Sequence, residues 1–267
     1  MKQFKRDETQ NSNKLHLDQY YTSDSVAQQC IDKTKEILKN EKITEVIEPS
    51  AGNGVFSKKL KKCISYDIDP KTDFIIKQDY LKLDIPYKKG RLIIGNPPFG
   101  ARNTLAVKFF KKSVLIADYI SFILPISQLN NQQQMYDFDL VYSENLGIKK
   151  YSDREIHCCL NIYKRPANGL NKKQKIEIDG IQIIESRLGK NILKEYDYAI
   201  CAWGSSVGKE IKNKNFAKEF YFLIDDNIKA QVIKLLKNVD WIKEYCMTST
   251  PNLLQWQVLN YLKKNLN

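Results

Sequence analysis

Apolar positions recur at helical spacing through residues 23–40 (SDSVAQQCIDKTKEILKN), where Val26, Ala27, Cys30, Ile31, Thr34, Ile37 and Leu38 share one face. Ser23 or Asp24 is placed to cap that helix. Further on, short apolar runs alternate with helical periods. TEVIEPS (44–50), ISYDID (64–69), DFIIKQD (73–79), GRLIIGN (90–96), DYISFILPI (118–126), FDLVYSENLG (138–147) and IHCCLNIYKR (156–165) read as strands. A helix is expected to open at Gly52 and reach Lys62, and NTLAVKFFKKSVLIA (103–117) is amphipathic at helical period. Strands alternating with helices predict an α/β fold with a doubly wound, mostly parallel sheet.

After Pro166 the pattern breaks. NGLNKKQKIEIDGIQIIESR reads as a turn followed by short lysine-rich strands or irregular structure, and 226–267 is mostly helical in period. A boundary is therefore expected near 165, with one domain over 1–165 and a smaller region over 166–267. No internal repeat is visible.

Composition changes this picture in two ways. Lys and Arg number 43 against 31 Asp and Glu, a net charge of +12 and a pI near 9.2. That balance favours a polyanionic partner, usually nucleic acid, over solvated lysines with no partner. The six cysteines contain no C-x-x-C pair and there are two histidines, so no structural zinc or other metal site is expected. The thiols read as small buried hydrophobes in a reducing, cytoplasmic compartment. Residues 1–14 are polar, with no apolar segment of a signal peptide, and no apolar run is long enough to span a membrane.

The chemistry-bearing residues fall at predicted strand ends, where open α/β sheets bind ligands. Glu48 ends the first strand and leads into Pro49-Ser50-Ala51-Gly52-Asn53-Gly54. Gly52 and Gly54 let the backbone turn tightly and approach a ligand. Asp67 and Asp69 end the second strand, and Asp67 is suited to accept from both hydroxyls of a ribose. Asp79 ends the third, suited to accept from an adenine amino group. A dinucleotide fingerprint would need a third glycine, and that position is Ser57. An acidic residue ahead of a glycine pair instead suits a ligand with an ammonium group and no pyrophosphate, which describes S-adenosylmethionine. Glycines that serve only the turn are the bland alternative.

Asn96-Pro97-Pro98-Phe99 follows the fourth strand. Its two prolines fix the loop and remove two N–H donors. Asn96 Oδ1 and the Pro97 carbonyl are then available as two acceptors. Such a pair can hold an exocyclic amine and favour its pyramidal, nucleophilic form. Phe99 supplies a face on which a base can stack.

With these motifs the chain resembles the class I S-adenosylmethionine-dependent DNA N6-adenine methyltransferases over residues 15–165. EPSAGNG is similar to their cofactor loop, YDIDP to the ribose-binding strand end, QDYL to the adenine-binding strand end, and GNPPFG to the catalytic loop. The resemblance implies a Rossmann-like fold, S-adenosylmethionine as cofactor, and double-stranded DNA as partner, with a cognate restriction endonuclease in some settings. It implies cofactor contacts from Glu48, Ser50, Ala51, Gly52, Gly54, Asp67, Ile68, Asp79, Tyr80 and Asn96. LDQYYTS (17–23) is similar to the segment that closes over the methionine end, adding Tyr20, Tyr21 and Thr22. Asn96, Pro97, Pro98 and Phe99 would be catalytic. Tyr151, five residues ahead of Ile156, matches by spacing an aromatic residue that stacks on the far face of a flipped base; a packing role competes equally.

About 40 residues separate Gly54 from Asn96, too few for a DNA-reading domain. That part is expected in 166–267, an order resembling the gamma arrangement. Its lysines (Lys172, Lys173, Lys175, Lys209, Lys212 and Lys214) are suited to phosphate contact, against the bland alternative that each is simply solvated, and WGSSVGKEIKNKN (203–215), with an aromatic, a flexible turn and three lysines, is suited to enter a groove. Two rivals stand beside this reading. One is the same fold acting on RNA adenine, cytosine N4 or a protein glutamine. Glutamine-modifying relatives tend to carry Tyr at the Phe99 position. The other is a DNA-binding protein whose methyltransferase-like domain no longer turns over.

Overall fold

The computed structural model describes residues 22–151, 154–212, 216–247 and 250–266. In chain order the elements are α1 (Asp24–Ile37), β1 (Glu45–Glu48), β2 (Cys63–Asp67), β3 (Ile76–Lys77), β4 (Arg91–Gly95), α2 (Thr104–Ile116), β5 (Tyr119–Pro125), β6 (Asp139–Tyr151), β7 (Arg154–Lys164), β8 (Ile181–Arg187), β9 (Tyr198–Cys201), β10 (Lys218–Ile224), α3 (Asp226–Asn238), α4 (Trp241–Glu244) and α5 (Gln255–Asn265). The first seven strands form one sheet in the order β3-β2-β1-β4-β5-β7-β6. β1 pairs in parallel with β2 and β4, β2 with β3, and β4 with β5. This is the doubly wound, mostly parallel α/β sheet that the alternating pattern predicts. Strand order reverses between β1 and β4, which opens a crevice at their carboxyl ends.

The chain divides into two compact units, residues 1–123 with 150–156, and residues 124–149 with 157–267. In the first, β4 is buried at every position, as expected for a central parallel strand covered on both faces. Ala27, Cys30 and Ile31 of α1, Phe110 and Val114 of α2, and Ile93, Ile120 and Phe122 of the strands are at most 3% exposed. Ser23 caps α1, as its sequence predicts. Thr34 of α1 and Ser121 of β5 share a buried 2.7 Å hydrogen bond. Arg91, also buried, anchors the start of β4 by donating to Glu45 and to the carbonyls of Pro86 and Ile116.

In the second unit, β8, β10 and β9 form an antiparallel sheet in that order. Its core gathers Phe220, Phe222, Trp241, Val232, Leu236, Leu253 and Leu262. Lys218 is drawn into this core, donating to the Leu253 carbonyl and to Asn252 Oδ1.

Two predicted elements differ. Residues 52–62 are a succession of turns rather than a helix. Gly52 and Gly54 take left-handed backbone angles, φ +56° and +77°, which no α-helix contains. Beyond them only scattered bonds form, such as Lys58 N to Gly54 O and Leu60 N to Phe56 O. Lys58 and Lys62 would repel at i,i+4 on a helix. The third strand shrinks from 73–79 to Ile76–Lys77, because a turn from Thr72 to Ile75 precedes it and a 3-10 turn capped by Asp79 follows.

Candidate functional site

Glu48 is the last residue of β1 and is 1% exposed. Its Oε2 accepts from the Ser57 amide at 2.9 Å. Burial pushes its carboxyl up to about 7, opposed by the bonds from Ser57 and Phe56. A carboxylate held this way gains from a cationic ligand that neutralises it.

One strand over, Asp67 ends β2. Its Oδ2 accepts from the Gly52 amide at 2.7 Å and its Oδ1 from the Asp69 amide at 2.8 Å. The carboxylate thus ties the glycine loop to the second strand end, and each oxygen retains lone-pair capacity for a diol. The Ala51 amide, donating to the Tyr66 carbonyl at 2.9 Å, fixes the same loop. Ile68 follows Asp67 and is 52% exposed, an apolar surface beside the acid. Gly54 is close-packed: a Cβ there would lie 2.7 Å from the Phe74 ring and 3.0 Å from Ser57 Oγ.

Asp79 is half-buried, accepting from the Leu81 amide at 3.0 Å as the cap of its 3-10 turn. Tyr80 is 1% exposed. Its hydroxyl shares a 2.9 Å bond with Ser113 and its ring stacks on Phe109. The Tyr80 side chain is therefore spent on packing against α2, and only its backbone is left to meet a ligand.

Asn96 follows β4 directly. Its Nδ2 donates to Thr22 Oγ1 at 3.1 Å, and its carbonyl accepts from Ser50 Oγ at 3.2 Å. Those two bonds join the segment before α1, the glycine loop and the N-P-P loop. They also orient the amide so that Oδ1, itself shielded from solvent, is its acceptor end. Pro97 is buried and Pro98 half-buried. Phe99 is 7% exposed, and its carbonyl accepts from the Leu105 amide at the start of α2.

Thr22, Glu48, Ser50, Ala51, Gly52, Gly54, Asp67, Ile68 and Asn96 are thus gathered around the ends of β1, β2 and β4. Tyr20 and Tyr21 lie outside the described residues, as does the side chain of Tyr151, the last residue of β6. Of the 203–215 loop, residues 213–215 also lie outside them, and Trp203 is exposed. Sequence reasoning passed over two residues that shape the site, Ser57 as a donor to Glu48 and Phe74 beside Gly54. Ser57 stands where a third glycine was sought and not found, which was the available signal. For Phe74 there was none.

Donor chemistry fits S-adenosylmethionine. A buried carboxylate suits its cation, a strand-end carboxylate its ribose, an exposed isoleucine its adenine, and glycines at positive φ in the loop permit close backbone approach. Burial pushes the thiol of Cys63, beside Glu48, up to about 12, so it is no nucleophile near neutral pH. Among the described residues no His, Cys, Asp and Glu side chains are grouped to hold a metal, and no helix is long and apolar enough to cross a membrane.

No protein-family model matches the chain, and no curated protein matches it. Among solved structures, a Thermoplasma acidophilum protein, 1320, is similar at a TM-score of 0.44 and 17% identity, over 58% of this chain and 93% of that one. A candidate RNA methyltransferase from Pyrococcus horikoshii is similar at 0.45 and 16%, over 58% and 90%. The 23S rRNA methyltransferase ErmE is similar at 0.42 and 13%, over 58% and 72%.

Proposed function

We propose that the chain is an S-adenosylmethionine-dependent methyltransferase that modifies the N6 amine of adenine in DNA. The observation that carries this reading is the position of Asn96-Pro97-Pro98-Phe99, immediately after β4 and bonded to the glycine loop at the sheet's switch point. Glu48 would hold the cationic end of the cofactor, Asp67 its ribose hydroxyls, Ile68 and Asp79 its adenine, and Thr22 and Ser50 the loop that faces it. The cofactor supplies a methyl group on a sulfonium, a leaving group that calls for no protein nucleophile.

The protein's own part is positional. Asn96 Oδ1 and the Pro97 carbonyl accept the two N–H bonds of the target amine and turn its lone pair outward. Thr22, by accepting from Asn96 Nδ2, keeps the amide from flipping its donor toward that amine. Pro97 and Pro98 keep the loop from relaxing. Phe99 offers the stacking face for a base taken out of the duplex, with Tyr151 on the opposite side, and reaching Phe99 requires its cover to open. The region 166–267 carries the duplex contacts. In a restriction-modification pair a cognate endonuclease would cut the same site unmethylated, whereas an orphan enzyme has no such partner.

The test is tritiated methyl transfer to duplex DNA, RNA and protein offered side by side, followed by single-molecule sequencing of DNA from cells expressing the chain. A new N6-methyladenine motif is the expected result. Label entering RNA or protein alone would overturn the DNA assignment and leave methyl transfer standing. S-adenosylmethionine failing to bind at all would overturn both.

A further inference from the structure

The second unit contains a polar cavity of about 390 Å³, remote in sequence from the residues of the candidate site. It lies where β6 begins, between the loop that follows β5, the segment that follows β7 and the face of α5. Three lysines line it, Lys172, Lys173 and Lys263. Among the described residues none of the three is engaged in an ion pair or hydrogen bond, whereas nearby Lys175 pairs with Glu177. The sole carboxylate in the lining, Asp139, already accepts from Asn171 Nδ2 at 2.8 Å. With three lysines against one carboxylate, the lining carries a net positive charge.

Six residues with side-chain amides also line it, and the side chains of four of them, Asn130, Gln133, Gln174 and Asn260, make no hydrogen bond among the described residues. The half-buried ring of Tyr136 adds an aromatic wall. The Asn171 amide donates to the Asp137 carbonyl at 2.9 Å, which sets the backbone that carries the exposed Lys172 and Lys173 beside the start of β6. Asn260 and Lys263 stand three residues apart on one face of α5.

We propose that this cavity binds a nucleotide, with the phosphate on the lysines and the base edge on the amides. Clustered cations favour phosphate. Asn and Gln amides offer the paired donor and acceptor that base edges require, and a tyrosine ring offers a stacking surface. A volume in the range of roughly 300–1,000 Å³ is that of small-molecule sites. The same chemistry is presented by a free mononucleotide and by one unit of a nucleic-acid strand. The inference stands on the cavity's own lining, independent of methyl transfer.

Isothermal titration of the full chain, with excess S-adenosylhomocysteine present to occupy the candidate cofactor site, would use inorganic phosphate, adenosine monophosphate and a short oligodeoxynucleotide. Lys172→Ala/Lys173→Ala should weaken nucleotide or oligonucleotide binding at least about tenfold, and the uncharged change Asn260→Ala about threefold. Lys35→Ala/Lys39→Ala, an equal loss of charge on exposed positions outside both the cavity and the 166–267 region, should stay within about twofold. Weakened mononucleotide binding identifies a free nucleotide as the occupant, and weakened oligonucleotide binding alone identifies a unit of a strand. The proposal fails if the cavity variants bind both as the parent does, if the control variant loses as much, or if phosphate binds as tightly as the nucleotide.

Discussion

Asn96 and Glu48 do different work at the site, and their substitutions should separate it. Under the proposed reading, Asn96→Ala removes one of two acceptors for the target amine and leaves the carboxylates in place. Turnover should fall by about 10²–10³-fold, the usual loss of one preorganised polar contact, with cofactor affinity within a few-fold of the parent. Stopped-flow turnover and cofactor titration on the same preparation check this, and near-parental turnover would remove Asn96 from the mechanism. Glu48 is governed by its burial. Its folded carboxyl titrates near 7, above the ordinary 4.5, so the folded protein holds a proton that the unfolded chain releases. Stability should therefore fall as pH rises from 4.5 to 7 and level off above, by at most about 3 kcal/mol. Cofactor affinity should run the other way, rising through pH 7 as the carboxylate ionises. Glu48→Gln should flatten both profiles. Denaturant melts without cofactor should find it at least as stable as the parent at pH 8, while the cofactor-induced rise in Tm disappears. Cofactor affinity independent of pH between 5.5 and 7.5 in the parent would show that Glu48 does not meet the cation.

At the scale of elements, the glycine loop is held by its neighbours more than by its own sequence. Gly54 has φ +77°, and Gly54→Ala would both strain the backbone, by roughly 1 kcal/mol, and push its methyl at the Phe74 ring. Phe74 is 52% exposed, so the ring can swing away; the melting temperature should drop only by a few degrees. Phe74→Ala leaves the backbone angles alone, and its expected cost is about three- to tenfold in cofactor affinity, the worth of an aromatic contact. Unchanged affinity in Phe74→Ala would make the ring a bystander of the loop. This pair shows what the sequence could and could not disclose. β4 was legible because the apolar run Leu92-Ile93-Ile94, closed by Gly95, suits a buried strand, and Glu48, Asp67 and Asn96 were legible because each stands where such a strand stops. Thr22 came only with the family likeness. The helix expected over 52–62 was misread because its apolar spacing, Val55, Phe56 and Leu60, is equally served by a run of turns that buries the first two. Phe74 was illegible because its partner lies 20 residues earlier and the two meet only through the sheet. Tyr80 looked like a ligand residue by motif and is a core residue by packing, a distinction that periodicity over four residues cannot make.

For the molecule as a whole, charge bears on which polymer carries the amine more directly than the loop does. Asn96 and Pro97 would hold an adenine, a cytosine or a glutamine amide in much the same way, since all three present two N–H bonds on a planar nitrogen. A net charge of +12 has no value in binding a neutral side chain, and it has a large one on a duplex with two phosphates per base pair. If the lysines are there for DNA, affinity must depend steeply on salt. Contact with at least four phosphates gives a slope of about −3.6 in log affinity against log salt, a loss of at least roughly 150-fold between 50 and 200 mM. Lys172→Ala/Lys173→Ala should make that slope shallower by one to two if those lysines touch phosphate in the same complex, and should leave it alone if the cavity they line serves a free nucleotide instead. A slope near zero, with methyl transfer intact, would mean that the basic surface and the catalytic loop answer to different partners, and it would favour a protein amide as the acceptor.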